Sequence, residues 1–156
     1  RLQVEHTITE EVTGIDLVAE QLNVAANRSL DISFRPEGHS IQCRINAEDV
    51  KDSFRPQPGQ ITKLRWPTMD GVRIDTHLRE GDSVSPHYDS MIAKVIVHAA
   101  SRPEAIAKML NVLEETTIEG VPTTIGLHKS ILRHERFASG QYDTKFVEDH
   151  LEELLR

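Results

Sequence analysis

"HSIQCRIN", His39 to Asn46, decides how the rest of the chain is read. Ile41, Cys43 and Ile45 alternate with Gln42, Arg44 and Asn46. A period of two places the first three on one face of a strand and the others on the opposite face. Such a strand needs pairing partners and a layer to cover its apolar side. "MIAKVIVHA", Met91 to Ala99, is a β-branched run that fits a more buried strand, and "ITKLRW" (61–66) and "VRIDTHL" (72–78) supply two more. "PTMDG" turns between those two. "AEDVKDSFRPQPGQ" (47–60), with turn chemistry at Pro56, Pro58 and Gly59, and "REGDSVSPHYDS" (79–90) read as loops.

Beyond Ala100 the period changes. Ser101 and Glu104 make an S-x-x-E capping box with Pro103 in the first turn, and Ile106, Met109, Leu110 and Leu113 supply a buried helical face. "TTIEGV" (116–121) reads as a short strand. Pro122 to His134 reads as a helix through Ile125, Leu127, Ile131 and Leu132. "FASGQYDT" (137–144) breaks it, and 145–155 form an acidic helix whose Glu148–Glu153 face is solvated. On the other side, 31–38 with Pro36 and Gly38 is a connector. "TGIDLVAEQLNVAANRSL" (13–30) is a helix with Asp16 as N-cap and a stripe of Leu17, Val18, Gln21, Leu22, Ala25 and Ala26. "RLQVEH" (1–6) alternates as a strand, with Arg1, Gln3 and Glu5 on one face and Leu2 and Val4 on the other. The prediction is an α+β domain over 36–142, with mixed or antiparallel strands and packed helices. It is preceded by the tail of something earlier (1–30) and followed by a terminal helix (143–156).

The chain has 156 residues, enough for one domain or one domain plus a piece of another. It is 38% hydrophobic and 28% charged, which fits a globular protein in water, and at 4% aromatic its core must rest on Leu, Ile, Val and Ala. A net charge of −7 argues against a nucleic-acid or anionic-membrane surface, because phosphate neutralisation needs a basic patch. Cys43 is alone, which excludes an internal disulfide and a thiolate zinc site and fits a reducing compartment. The longest apolar run, Met91 to Ala100, contains Lys94 and His98 and cannot span a bilayer.

Three groups of residues could carry chemistry. Arg1, Gln3 and Glu5 make either a solvated strand face or an anion site. In the second reading the guanidinium fork holds a carboxylate- or phosphate-like oxyanion and Glu5 acts as base. Arg44 is either a solvated strand residue or a second guanidinium facing an enolate or other oxyanion. Tyr88, Asp89 and Ser90 either close a loop through their own hydrogen bonds or form a site loop in which Asp89 orients an Arg. The eight His residues carry no metal signal: His128 and His134 do not share a helical face, and no H-x-x-x-H or H-E-x-x-H occurs. There is no P-loop, G-x-G-x-x-G or G-x-S-x-G.

"RLQVEH" followed by "TE", then "TGIDLVAEQL", "GHSIQCRINAED", "PGQIT", "GVRIDTH" and "HYDSMIAKVI", in that order, resemble biotin carboxylase, the ATP-grasp component of acetyl-CoA carboxylase and its relatives. The resemblance implies the last active-site strand of an ATP-grasp unit followed by the biotin carboxylase C-terminal domain. It implies a Glu and an Asn upstream of Arg1 that help hold magnesium. The nucleotide pocket, the glycine-rich loop and the metal ligands then belong to a preceding N-terminal half, with no metal ligand in 1–156. By the same likeness Arg1 holds bicarbonate and phosphate, Gln3 and the Val4 backbone contact bicarbonate, and Glu5 is the base that deprotonates it. Arg44 matches the Arg that binds bicarbonate and stabilises the biotin enolate. Asp89, with Tyr88, is suggested to support Arg44, and Arg73 falls on a strand like the family's dimer surface.

The implied reaction uses ATP, magnesium, bicarbonate and carried biotin. Its implied partners are the N-terminal ATP-grasp half, a biotin carboxyl carrier protein, the carboxyltransferase and a second copy in a homodimer. The implied place is the cytoplasm, in the first half-reaction of acetyl-CoA carboxylase in fatty acid synthesis. A pyruvate, propionyl-CoA, methylcrotonyl-CoA or urea carboxylase fits the same residues, and a non-catalytic dimerisation piece is a reading of a different class. The chain departs from the family pattern at Thr7, where Pro is usual, and at Thr123–Thr124, where Thr-Asn is usual. Residues 1–156 alone are expected to be inactive and to expose an apolar surface.

Overall fold

Described over residues 1–156 in a computed structural model, the chain opens with two helices, α1 (His6–Thr13) and α2 (Leu17–Ala25), and enters strand β1 (His39–Asn46). Short strands follow: β2 (Glu48–Asp49), β3 (Arg55–Pro56), β4 (Gly59–Gln60), β5 (Lys63–Arg65), β6 (Val72–Thr76) and β7 (Ser83–Val84). Then come the long strand β8 (Met91–Ala99), helix α3 (Arg102–Glu115), strand β9 (Thr117–Glu119) and helices α4 (Ile125–Arg133), α5 (Glu135–Ser139) and α6 (Phe146–Leu154).

The central sheet is three-stranded and antiparallel, in the order β1-β8-β6. β8 is covered on both faces, which is why its sequence is nearly all apolar: Ile92, Ala93, Val95, Ile96 and Val97 are buried. Register sets the two faces. Ile41, Val97 and Val72 lie in one row, and Cys43, Val95 and Ile74 in the next. That face packs on α3 through Ala105, Ile106, Met109, Val112 and Leu113. On the opposite face Gln42, Ile96 and Arg73 form one row and Arg44, Lys94 and Asp75 the next, and α1 lies over it against β1 and β8. β1 enters through Gly38 at φ 70°, where a Cβ would collide with the Ala99 carbonyl and the His98 ring. β5 pairs with β9, β2 with β3 and β4 with β7.

The α+β architecture is as the sequence predicts, and several local expectations need correction. Residues 1–6 are not a strand. Val4 and Glu5 form a turn in which the His6 N–H donates to the Gln3 carbonyl (3.2 Å) and the Ile8 N–H to the Glu5 carbonyl (3.1 Å). Alternation supplies a face but no ladder partner, so local turn bonds satisfy this backbone and helix α1 follows at once. At α3 the Ser101 hydroxyl donates to Glu104 Oε1 (2.9 Å) and does not cap a backbone N–H. The segments read as loops at 47–60 and 79–90 contain the two-residue ladders β2–β4 and β7. Phe137–Ser139 belong to α5, and the break comes at Gly140 in the left-handed region. Asp16 does cap α2, accepting from the Ala19 N–H at 2.8 Å. The acidic face of α6 is exposed, while its Phe146 and Leu154 join Leu127 in a second small core. No helix is long and apolar enough to cross a membrane.

Candidate functional site

Glu5 stands immediately before α1, and Arg44 lies on the face of β1 that α1 covers. Arg44 Nη2 donates to Glu5 Oε2 at 2.9 Å, closing a contact between residues 39 apart in the chain. The two side chains are 49% and 56% exposed, so a small anion from solvent can reach both a carboxylate and a guanidinium at one spot. Below it the backbone is braced by α4. The Arg44 carbonyl accepts from His128 Nε2 (2.8 Å) and from the Thr124 hydroxyl (3.3 Å), and Thr124 Oγ1 accepts from the Asn46 N–H (3.1 Å). Burial lowers the His128 pKa and outweighs the opposing effects of the Arg44 carbonyl and Glu48, so the ring is neutral at pH 7.

Lys94 stands directly across from Arg44. Two like charges in that relation repel, and each has its own carboxylate. Lys94 Nζ lies 3.1 Å from Asp75, which also accepts from Arg73 Nε at 2.8 Å. Burial alone would raise the Asp75 carboxyl; the hydrogen bonds and charges of Arg73 and Lys94 outweigh it and hold its pKa below the ordinary value. Arg73 Nη1 reaches back to Glu10 on α1 (2.7 Å), tying α1 to β6. Its hydrogen bond to Asp75 is the largest of the effects that push its own pKa up. Arg44–Glu5 is therefore the open end of a charged strip whose other members are mutually engaged.

Of the residues singled out in the sequence, only Glu5 and Arg44 come together. Arg1 and Gln3 are exposed on the segment before α1, and Val4 is half-buried in the turn. Asp89 does not support Arg44: its Oδ1 accepts from the Met91 N–H (2.8 Å), an Asx turn that closes its own loop, and Tyr88 beside it is 85% exposed. Arg73, on the strand likened to the family's dimer surface, is bonded by Glu10 and Asp75 and keeps about a third of its side chain exposed. Sequence reasoning missed Lys94, Asp75, Glu10, Thr124 and His128. Lys94 had a signal, as the one Lys in an apolar strand, and Thr124 had one as a departure from the family pattern. Thr7 and Thr124, which stand where the chain departs from the family pattern, both end bonded to β1.

No group of three or more His, Cys, Asp or Glu side chains is placed to hold a metal ion. A groove of about 640 Å³ lies beside α2, lined by Leu2, Leu17, Leu22, Val24, Leu30 and Ile32. No residue of α2 is buried, and Leu22 is 67% exposed.

Comparison with known proteins gives the context. Residues 42–149 match the family described as biotin carboxylase C-terminal domain, and residues 1–33 match the carbamoyl-phosphate synthase L chain ATP binding domain. Biotin carboxylase 1 of Bacillus subtilis is 48% identical over 155 residues, covering 96% of this chain and 34% of that protein. A pyruvate carboxylase component of Methanothermobacter thermautotrophicus is also 48% identical over 155 residues, covering 96% of this chain and 31% of that protein. Among solved structures, the biotin carboxylase domain dimer of Hydrogenobacter thermophilus 2-oxoglutarate carboxylase, in complex with MgADP, ADP and bicarbonate, superposes with TM-score 0.95 at 40% identity. The match covers 99% of this chain and 35% of that one. The chain thus spans about a third of the length of these relatives.

Proposed function

This chain belongs to the family of the biotin carboxylase C-terminal domain, and on that premise we propose that it is the C-terminal part of a biotin carboxylase. The enzyme uses ATP and bicarbonate to carboxylate biotin on a carrier protein. The observation that carries the reading is the Glu5–Arg44 pair, one base and one guanidinium meeting in the open from distant parts of the chain.

In this reading Arg1 and Arg44 hold bicarbonate, Gln3 and the Val4 backbone orient it, and Glu5 takes its proton as it attacks the γ-phosphate of ATP. The carboxyphosphate so formed breaks down to carbon dioxide and phosphate. The phosphate deprotonates biotin, and Arg44 stabilises the enolate that takes up carbon dioxide at N1′. Preorganised positive charge suits both a small dianion and an enolate. Binding of ATP and magnesium falls to the N-terminal ATP-grasp half of a longer protein, which also covers the apolar groove beside α2.

The proposed parent is a cytoplasmic, homodimeric component of acetyl-CoA carboxylase that works with a biotin carboxyl carrier protein and the carboxyltransferase in fatty acid synthesis. The relatives named for pyruvate and 2-oxoglutarate carboxylases support a second parent with the same half-reaction. A purely structural dimerisation piece would have no need to keep Glu5 and Arg44 paired at an open site. Glu5→Gln in the full-length protein tests the reading. It is expected to abolish bicarbonate-dependent ATP cleavage without loss of folding, and a fully active variant would remove Glu5 from the chemistry.

A further inference from the structure

Thr7 is a polar residue with no exposed surface, two positions after Glu5 in the first turn of α1. Its hydroxyl donates to the side-chain oxygen of Gln42. Gln42 lies two positions before Arg44 on β1, and the strand period puts both on the face that α1 covers. The α1–β1 interface therefore has two adjacent polar rungs, Thr7–Gln42 inside and Glu5–Arg44 outside.

The rungs differ in what they can hold. The outer one joins two long side chains about half exposed to water. An exposed ion pair is weak, salt-sensitive and costly in side-chain entropy, so it does not hold its own geometry. The inner rung is part-buried: Thr7 has no exposed surface and Gln42 is half-buried, so losing it leaves a partly shielded acceptor without its donor. The other polar ties of α1 to the sheet, Glu10 and Glu11 to Arg73, lie farther along the helix and on a different strand.

We propose that Thr7 and Gln42 are positioning residues that hold the start of α1 on β1 so that the Glu5 carboxylate meets the Arg44 guanidinium. This rests on the reading of Glu5 and Arg44 as reacting groups. Neither Thr7 nor Gln42 touches substrate; each acts through its neighbour two positions away.

The test uses the full-length protein and biotin-dependent ATP cleavage. Thr7→Val keeps the shape and removes the hydroxyl. It is expected to lower kcat roughly tenfold while leaving KM for ATP within about twofold, as for a misplaced group acting in the transition state. Thr7→Ser restores the hydroxyl and is expected to recover kcat. A Thr7→Val variant with unchanged kcat, or a Thr7→Ser variant as impaired as Thr7→Val, overturns the inference. If Thr7→Val fails to fold, Gln42→Met reads the same contact from the strand, and full kcat there overturns it equally. Glu5→Gln is measured alongside. If Glu5→Gln is inactive while Thr7→Val is unimpaired, the positioning role alone falls. If Glu5→Gln is fully active, the site reading falls and the positioning role falls with it.

Discussion

Cys43 and Arg44 are consecutive residues with opposite fates, because one strand residue turns inward and the next outward. Cys43 packs against α3, 5% exposed, and burial pushes its thiol up to about 12. The thiolate is the reactive form, so the folded chain should resist alkylation. Iodoacetamide at pH 8 is expected to label Cys43 only after denaturant is added, read by mass spectrometry; rapid labelling of the native chain would contradict the packing of β1. Arg44, half exposed, is fixed at its backbone by Thr124 and His128 and at its tip only by Glu5.

At the scale of elements, α4 is pinned to β1 by a half-buried, neutral imidazole, that of His128. The His128 pKa lies below its ordinary 6.5 when folded. The folded state then binds fewer protons than the unfolded one below pH 6.5, so this stability is present above 6.5 and is lost as pH falls through the folded value. His39, lowered by burial and by Arg102, acts in the same direction. Urea midpoints are expected to fall between pH 7.5 and 5.5, with His128→Asn removing part of the slope; equal midpoints at the two pH values would contradict the neutral ring. Asp75, between Arg73 and Lys94, works by the same sign in a more acidic window, giving stability that is lost as pH falls below the ordinary carboxylate pKa.

On the scale of the whole molecule, the chain has one well-covered sheet and one uncovered helix. Val18, Leu22 and Val24 of α2 and Leu30 after it are each about half exposed or more. An open apolar patch of this kind drives association. Residues 1–156 alone are expected to self-associate in sedimentation, with Leu22→Lys shifting them toward monomer; a wild-type chain that stays monomeric at high concentration would argue against an uncovered face. The strands β1 and β8, the α3 core stripe and the Asp16 cap were legible from sequence, because period and cap chemistry are local. Residues 1–6, helix α1, the private turn of Asp89 and the engagement of Arg73 were not. Whether an alternating segment becomes a strand depends on a ladder partner, and which carboxylate a guanidinium meets depends on what register brings beside it. Composition and local pattern alone determined the α+β class; they offered Glu5 and Arg44 only among several candidates, each also readable as a solvated strand residue. Tertiary structure decided that those two meet, and that Thr7 and Gln42 lie between their elements, because both contacts join residues more than thirty positions apart and exist only once α1 lies on β1.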